Sequence, residues 1–410
     1  MPRLTTSTAT GLTLTLALSS AALGQGLTLL GSVGLYASDA SSDGRVVAGS
    51  NLAEYWVWTA ETGLVTIGGV AAGNGVGGQA GISNDGRFVC GTRVNPKSGL
   101  AEAGRFDRKA FAWTSCGSIG GSSGGETSSG WGISGDGATV VGLGWVSAGT
   151  AHAVRWRAAT GMTSLGSTVA GRSSRANGTN LDGSVVIGWQ DGETGFRQGA
   201  VWNGAIQTLI TWTNGSPLGE ASSCSADGTF VVGNGVSGNG FQPWRWSAAG
   251  GAISLGPPPT SGWRGSAVGI SADGSRVAAF YRPFPAPATF GQGFLWIEGE
   301  GLLDLNAYAS ELGIAIPSGV VLALPLGISA DGYTIVGTAR TPAGTEGFIL
   351  DLPRPKPNCP ADLNDDGSVN AADLSILLGG WGTPVGDIDG DGTTNAADLT
   401  LLLGAWGPCP

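Results

Sequence analysis

The chain is predicted to be all-β over most of its length, as a seven-bladed β-propeller closed by its N-terminal strand, and to end in a small α-helical module built on two acidic loops. Three observations carry this. An Asp-Gly turn followed by a short apolar strand recurs seven times, and a Trp- or Phe-containing strand follows each turn. The last repeat lacks its final strand, and the start of the ring offers one. The C-terminal loops repeat one acidic spacing twice.

Residues 1–25 have the form of a secretion signal. Arg3 gives a weakly positive start, Leu12 to Leu18 a short apolar core, and Ala22, Leu23 and Gly24 a small-x-small ending before Gln25. The apolar part is too short to span a bilayer and no later run qualifies. A secreted, soluble mature chain is therefore expected, extracellular or cell-surface associated.

Residues 26–352 carry the repeats. The turns are Asp43-Gly44, Asp85-Gly86, Asp136-Gly137, Asp182-Gly183, Asp227-Gly228, Asp273-Gly274 and Asp331-Gly332, spaced 42 to 58 residues apart. Apolar strands such as RVVAG, RFVCG and SVVIG follow them. Next come WVWT (56–59), FAWT (111–114), VRWR (154–157), AVWN (200–203), WRWS (244–247), FLWI (294–297) and FILD (348–351). Most copies then turn through Gly into a fourth short strand such as GMTSLG. About four strands per unit at this period indicate propeller blades, with Asp-Gly as the tight hairpin. GLTLLGS (26–32) matches GMTSLGS (161–167), so the first strand is expected to complete the last blade and hide its edge. A β-solenoid, or a ring of six or eight blades, is the rival arrangement.

Composition limits the partners. Charged residues make up 12% of the chain and the net charge is −10. The C-terminal 52 residues hold eight Asp and no Lys or Arg. The ring is thus nearly neutral, without the basic face that nucleic acid requires. His152 is the sole histidine, which excludes a His-rich zinc centre and reads as a surface residue. No nucleophile motif stands in a strand–turn–helix setting. Glu54, Glu61, Glu102, Asp107, Glu126, Asp191, Glu193, Glu220 and Glu298 are the ring carboxylates outside the turns that a glycosidase could use, and sequence pairs none of them. Two loops offer a possible ligand face, through Trp263 and Arg264 in GPPPTSGWRG and through Tyr281 and Phe284 in YRPFPAPATFGQG. NPKSGLAEAGRFDRK (95–109) concentrates basic charge. Cys90 and Cys116 fall in one repeat and are candidates for a bridge, which leaves Cys224 over.

Residues 353–358 form a Pro-rich linker. In 359–410, oxygen-bearing residues stand at loop positions 1, 3, 5, 7, 9 and 12. The first set is Asp362, Asn364, Asp366, Ser368, Asn370 and Asp373; the second is Asp387, Asp389, Asp391, Thr393, Asn395 and Asp398. Gly367 and Gly392 occupy position 6. This is the spacing of a calcium loop, so two Ca²⁺ ions are the expected cofactors. Asp at position 12 departs from the usual Glu. AADLSILLGGWG (371–382) and AADLTLLLGAWG (396–407) follow as short helices. Cys359 and Cys409 bracket the segment and are expected to staple its ends.

Two such loops with AADL helices resemble the dockerin type I family. The resemblance implies a cohesin-like or cell-envelope partner, contacted through Ala371 and Ala372 and through Ala396 and Ala397. Those pairs are small and apolar where many members carry hydroxyls. The ring resembles extracellular HAF-repeat proteins, whose units carry AFxWT, a following LG and a later GxxVVGxS. Three functions remain in play. The preferred one is a secreted non-catalytic binding or display protein, tethered through the calcium module and taking a glycan or peptide on its ring. The others are a polysaccharide-degrading O-glycosyl hydrolase or its accessory, and a structural surface or matrix component.

Overall fold

The computed structural model describes residues 25–72, 77–235, 241–355, 359–364 and 366–409. The expected export segment lies outside these residues except for Gln25, as does the 356–358 part of the linker. Two compact units divide at Leu352 and Pro353.

The first unit is a seven-bladed propeller of four-stranded antiparallel sheets. Blade 1 uses Tyr36–Ala40, Val47–Ser50, Tyr55–Thr59 and Gly63–Gly68, from the innermost strand outward. Blades 2 to 6 repeat that order through Asp304. Blade 7 takes its inner three strands from Val321–Ile328, Thr334–Thr341 and Gly344–Asp351. Its outermost strand is Gly26–Leu29, with Gly26 opposite Asp351 and Leu29 opposite Phe348. Ring closure is as the sequence predicts.

Each Asp-Gly turn is locked by a residue two positions earlier. The hydroxyls of Ser41, Ser83, Ser134, Ser225, Ser271 and Ser329 donate to the turn Asp. The same oxygens accept the N–H of the strand that follows, as in Val46 N to Ser41 Oγ at 3.0 Å. Asn180 takes this place in blade 4, accepting from Val185 N. The turn glycine is needed twice over. Gly44 has φ 74°, and a Cβ there would collide with Thr334 Oγ1 of the neighbouring blade.

A circuit of backbone hydrogen bonds joins these turns around the ring. Ser42 N donates to Asn84 O, Asn84 N to Gly135 O, Asp136 N to Leu181 O and Leu181 N to Ala226 O. Ala226 N then donates to Ala272 O, Ala272 N to Ala330 O and Asp331 N back to Ser42 O, all at 2.8–3.1 Å. Between blades the space is filled by third-strand aromatics and second-strand valines. Trp202, for example, packs with Val141, Ala153 and Val186. Burying such rings is the main gain that holds sheets together.

Three sequence expectations need correction. Cys90 and Cys116 are separate buried thiols. They lie on the second and fourth strands of blade 2, with Ala101–Asp107 between them. Two strand spacings make roughly 9–10 Å, beyond the reach of a disulfide. Tyr281 belongs to the packing and not to a ligand face. It is fully buried, its hydroxyl donates to Gly256 O at 2.5 Å, and its ring meets Phe294 edge-on. The fourth strand of blade 6, the copy GLLDLN (301–306), is extended only through Asp304, where the repeat pattern predicts a strand throughout. Asp304 caps a helix α1 (Leu305–Glu311) by accepting from Ala307 N at 2.8 Å, and Leu305 and Ala309 bury into the core between blades 6 and 7.

The second unit holds helices α2 (Ala371–Gly379) and α3 (Ala396–Gly404) and a short pairing of Ser368–Val369 with Gly407–Pro408. Ala361, Val369, Leu377 and Leu402 form its buried core. Cys359 and Cys409 are joined as expected, with Cα atoms 5.8 Å apart. Trp381 and Trp406 do not line the helices' buried side, being 48% and 49% exposed.

Candidate functional site

The innermost strands of the seven blades surround a central channel. Each begins at one face of the ring, here the upper, and ends at the lower face in its Asp-Gly turn. In six blades the innermost strand slips register part-way along, inserting one residue in five of them and two in blade 7. Such a bulge re-aims a side chain. Trp131, Asn177, Ser222, Val268 and Leu326 are inserted residues of blades 3 to 7, and all line a cavity of about 180 Å³ at the upper mouth.

One position after the inserted residue, the blades carry Gly81, Gly132, Gly178, Ser223, Gly269 and Gly327. Blade 1 alone carries a charge there, Asp39, which lines the channel. Its Oδ1 accepts from Ala40 N and its Oδ2 from Ile82 N of blade 2, both at 2.9 Å. Burial nevertheless pushes the Asp39 carboxyl up to about 7, against the pull of those two donors. The sign follows from linkage. Between about 3.9 and the folded value, the folded ring keeps a proton that the unfolded chain has released. Stability therefore falls as pH rises through that window, by on the order of a few kcal/mol. Asp39→Gly, matching the other blades, is expected to flatten this part of the unfolding free energy between pH 4 and 8. Parallel wild-type and variant curves in urea titrations would remove Asp39 as the cause.

The upper mouth holds the densest polar cluster of the ring. Arg175 and Trp131 lie on the inner strands of neighbouring blades, and the guanidinium lies 3.7 Å from the Trp131 ring centroid. Arg175 Nε donates to Asn177 Oδ1 at 2.8 Å and Nη2 to Glu220 Oε2 at 3.2 Å. Arg197 pairs with the other Glu220 oxygen and stacks over Trp189 at 4.1 Å. Burial lowers Arg175 to about 10, although Glu220 opposes the fall. Beside this cluster, between blades 4 and 5, opens a cavity of about 680 Å³ lined by Phe196, Arg197, Pro217, Glu220 and Asn234. Arg175, Arg197 and Glu220 lie on separate stretches of the chain. Only the blade topology brings them together.

Of the expected ligand face, Arg264 is stacked between Phe241 and Phe284, at 4.2 and 3.5 Å from the centroids, and Trp263 is half-buried. Phe284 is 49% exposed. Several of the ring carboxylates are engaged, while Glu54, Glu61, Asp191 and Glu193 form no ion pair among the described residues. Asp107 pairs with Arg87, Glu102 with Arg93 and Glu298 with Arg245. The Arg87 hydrogen bond holds Asp107 down at about 2. Glu126 accepts from Gly77 N at 2.5 Å. His152 meets Ser164 Oγ at 2.9 Å and lies half-buried on a blade 3 strand.

In the second unit the two acidic loops fold alike. Asp362 accepts from Asp366 N and Gly367 N; Asp387 accepts from Gly390 N, Asp391 N and Gly392 N. Carboxylate oxygens of Asp387, Asp389 and Asp391 lie within 4.8 Å of one another, the convergence a hard cation requires. Asn370 and Asn395 cap α2 and α3, and Asp373 and Asp398 complete capping boxes. Asp373 accepts three backbone N–H groups, from Leu363, Asn364 and Asn370; Asp398 accepts the equivalent three from Ile388, Asp389 and Asn395. Three donors occupy most of a carboxylate's roughly four lone-pair sites. Position 12 thus has room for one cation contact, in contrast to a bidentate Glu. Ser368 and Thr393 offer only their carbonyls, each accepting from the Asn two residues on. Ala371, Ala372, Ala396 and Ala397 are exposed at the helix starts.

Comparison with protein-family models and with curated proteins returned no match. Solved structures do match. An oligogalacturonate lyase in complex with manganese is 14% identical, covering 82% of this chain and 95% of that one, with a TM-score of 0.50. The β-propeller domain of the Trilobed protease from Pyrococcus furiosus is 8% identical over 77% and 94%, at 0.49. TolB from Acinetobacter baumannii is 11% identical over 76% of this chain, at 0.42, and this chain spans 65% of its length. At these identities the likeness is one of ring architecture. No helix among the described residues is long and apolar enough to cross a membrane.

Proposed function

We propose that the chain is a secreted, non-catalytic display protein. Its ring, of HAF-repeat type, offers the upper face for binding, and its dockerin-like second unit tethers it to a cohesin-like or cell-envelope partner. The observation that carries this is the doubled acidic loop, with its converging Asp387, Asp389 and Asp391 oxygens. Two Ca²⁺ ions would be held by side-chain oxygens of Asp362, Asn364 and Asp366 and of Asp387, Asp389 and Asp391. The carbonyls of Ser368 and Thr393, one oxygen each of Asp373 and Asp398, and Asn370 and Asn395 directly or through water would complete the two sets. Bound ions would relieve the mutual repulsion of these carboxylates. The pairing of each ring carboxylate Asp107, Glu102 and Glu298 with an arginine speaks for binding over hydrolysis.

The test uses the mature chain immobilised against envelope extract and culture medium, with calcium and then with chelator, alongside calorimetric calcium titration. Two sites per chain and a partner released by chelator are expected. Calcium should also raise the unfolding free energy of residues 359–409 by about 2.7 kcal/mol for each occupied site at a hundredfold excess over Kd. The double variant Asp387→Ala, Asp389→Ala should lose one site and weaken capture. No calcium uptake, or equal capture with chelator, would sink the proposal.

A further inference from the structure

We infer that the cluster around Glu220 on the upper face is a binding site for an acidic sugar, whose carboxylate it takes through Arg197, which Glu220 braces against Arg175. The inference rests on the display reading above and names the ligand class for that face.

Charge is the first argument. Elsewhere in the ring the ion pairs are one to one, as in Arg87 with Asp107 and Arg93 with Glu102. Glu220 instead serves two arginines, one on each oxygen. Asp191 faces Arg197 across the strand ladder but forms no ion pair with it. One positive charge at the cluster is therefore without a direct partner. Arg175 and Glu220 are mostly buried, with side-chain exposures of 16% and 18%. The charge in excess sits on Arg197, half-exposed at the cavity, where it can pair with an incoming anion by charge-assisted hydrogen bonds.

Geometry is the second. Glu220 stands in the wall between the mouth cavity and the larger one, lining both. Arg175 Nη1 has no acceptor among the described residues, while Nε and Nη2 are held in place by Asn177 and Glu220. That fixes Arg175 on the mouth side, where it holds one oxygen of Glu220 and leaves the other to Arg197 in the larger cavity. Arg197 is half-exposed on the other side, held over Trp189. A carboxylate is the anion whose shape a guanidinium fork matches.

The rest of the lining fits a sugar ring. Phe196 is 79% exposed at the edge of the larger cavity, an apolar surface for a pyranose face. Thr194, Ser216 and Asn234 line the same cavity and can bond ring hydroxyls. Its volume is within the range of small-ligand sites.

The probes are D-glucuronate, D-glucose and glutarate, titrated calorimetrically into the mature chain. Glucuronate should bind, and glucose, lacking the carboxylate, about tenfold more weakly. Arg197→Gln should weaken glucuronate by about tenfold. Glu220→Gln should strengthen it, because the competing internal carboxylate is gone. Arg175 is left unaltered, since it is mostly buried and also holds Asn177. Unchanged unfolding midpoints establish that both variants fold, and a variant that fails this check is replaced by Arg197→Lys, expected to weaken binding in the same sense. Equal affinity for glucose and glucuronate would overturn the inference, as would indifference to both substitutions or no binding at all. Glutarate binding as tightly as glucuronate would overturn the assignment to a sugar. Calcium-dependent capture measured on the same preparation separates the cases: if it persists, the tethering half of the display reading stands and only this site falls.

Discussion

Deleting residues 26–31 should cost the ring most of its stability. Gly26–Leu29 supplies the fourth strand of blade 7, and Leu30 N adds a bond to Gly347 O at 2.8 Å. Leu27 and Leu29 pack on the cluster that contains Phe348 and Leu350, and Leu30 on the one that contains Trp56 and Ile349. Losing three partly buried leucines and their ladder bonds amounts to roughly 4–6 kcal/mol. A whole domain is commonly stable by only about 5–15 kcal/mol. The deletion also bares Gly344–Asp351 as an edge strand, an invitation to aggregate. A lower urea midpoint and concentration-dependent scattering are the expected readouts. Grafting the same six residues after Asp351 through a flexible loop should recover much of the loss. An unchanged midpoint would mean that the circuit of bonds through Ser42, Asn84 and Leu181 closes the ring without help.

That circuit shows what sequence could and could not reveal. The blade count was legible because Asp-Gly and the aromatic strand recur in step, and closure was legible because blade 7 stops one strand short. The serine two residues before six of the seven turn Asp residues was nearly as regular, and its hydroxyl fixes the hairpin. Tyr281 misled because loop composition says nothing about which side of a strand faces the next blade. Helix α1 was missed because one cap, Asp304, outweighs a short apolar run that would also suit a strand. The Glu220 site had no signal at all. Arg175, Arg197 and Glu220 are spread over 46 residues, and only strand order and the bulge at Asn177 bring them to one mouth. The acidic loops are the opposite case. The oxygens proposed to hold calcium lie within twelve residues of one another in each loop, so spacing alone was enough to nominate them.

The second unit should depend on its disulfide as strongly as the ring depends on its first strand. Its buried apolar core is confined to Ala361, Val369, Leu377 and Leu402, while Leu378, Leu403, Trp381 and Trp406 remain half-exposed. So small a core gives little against the entropy of ordering the segment. Cys359 and Cys409 close a separation of 50 residues. In the chain-entropy account a loop of that length is worth about 4 kcal/mol. The double variant Cys359→Ser, Cys409→Ser should therefore lose hydrogen-exchange protection in α2 and α3 when chelator is present. The ring's own protection should not change, since the two units are separately compact. Calcium should restore part of the protection, because ions bound at Asp362 to Asp373 and Asp387 to Asp398 favour the folded loops by mass action. Full protection of the variant in chelator would show that capping by Asn370 and Asn395 suffices. No recovery with calcium would instead place the staple upstream of the cation, as the constraint that brings Ser368–Val369 against Gly407–Pro408 before either loop can close.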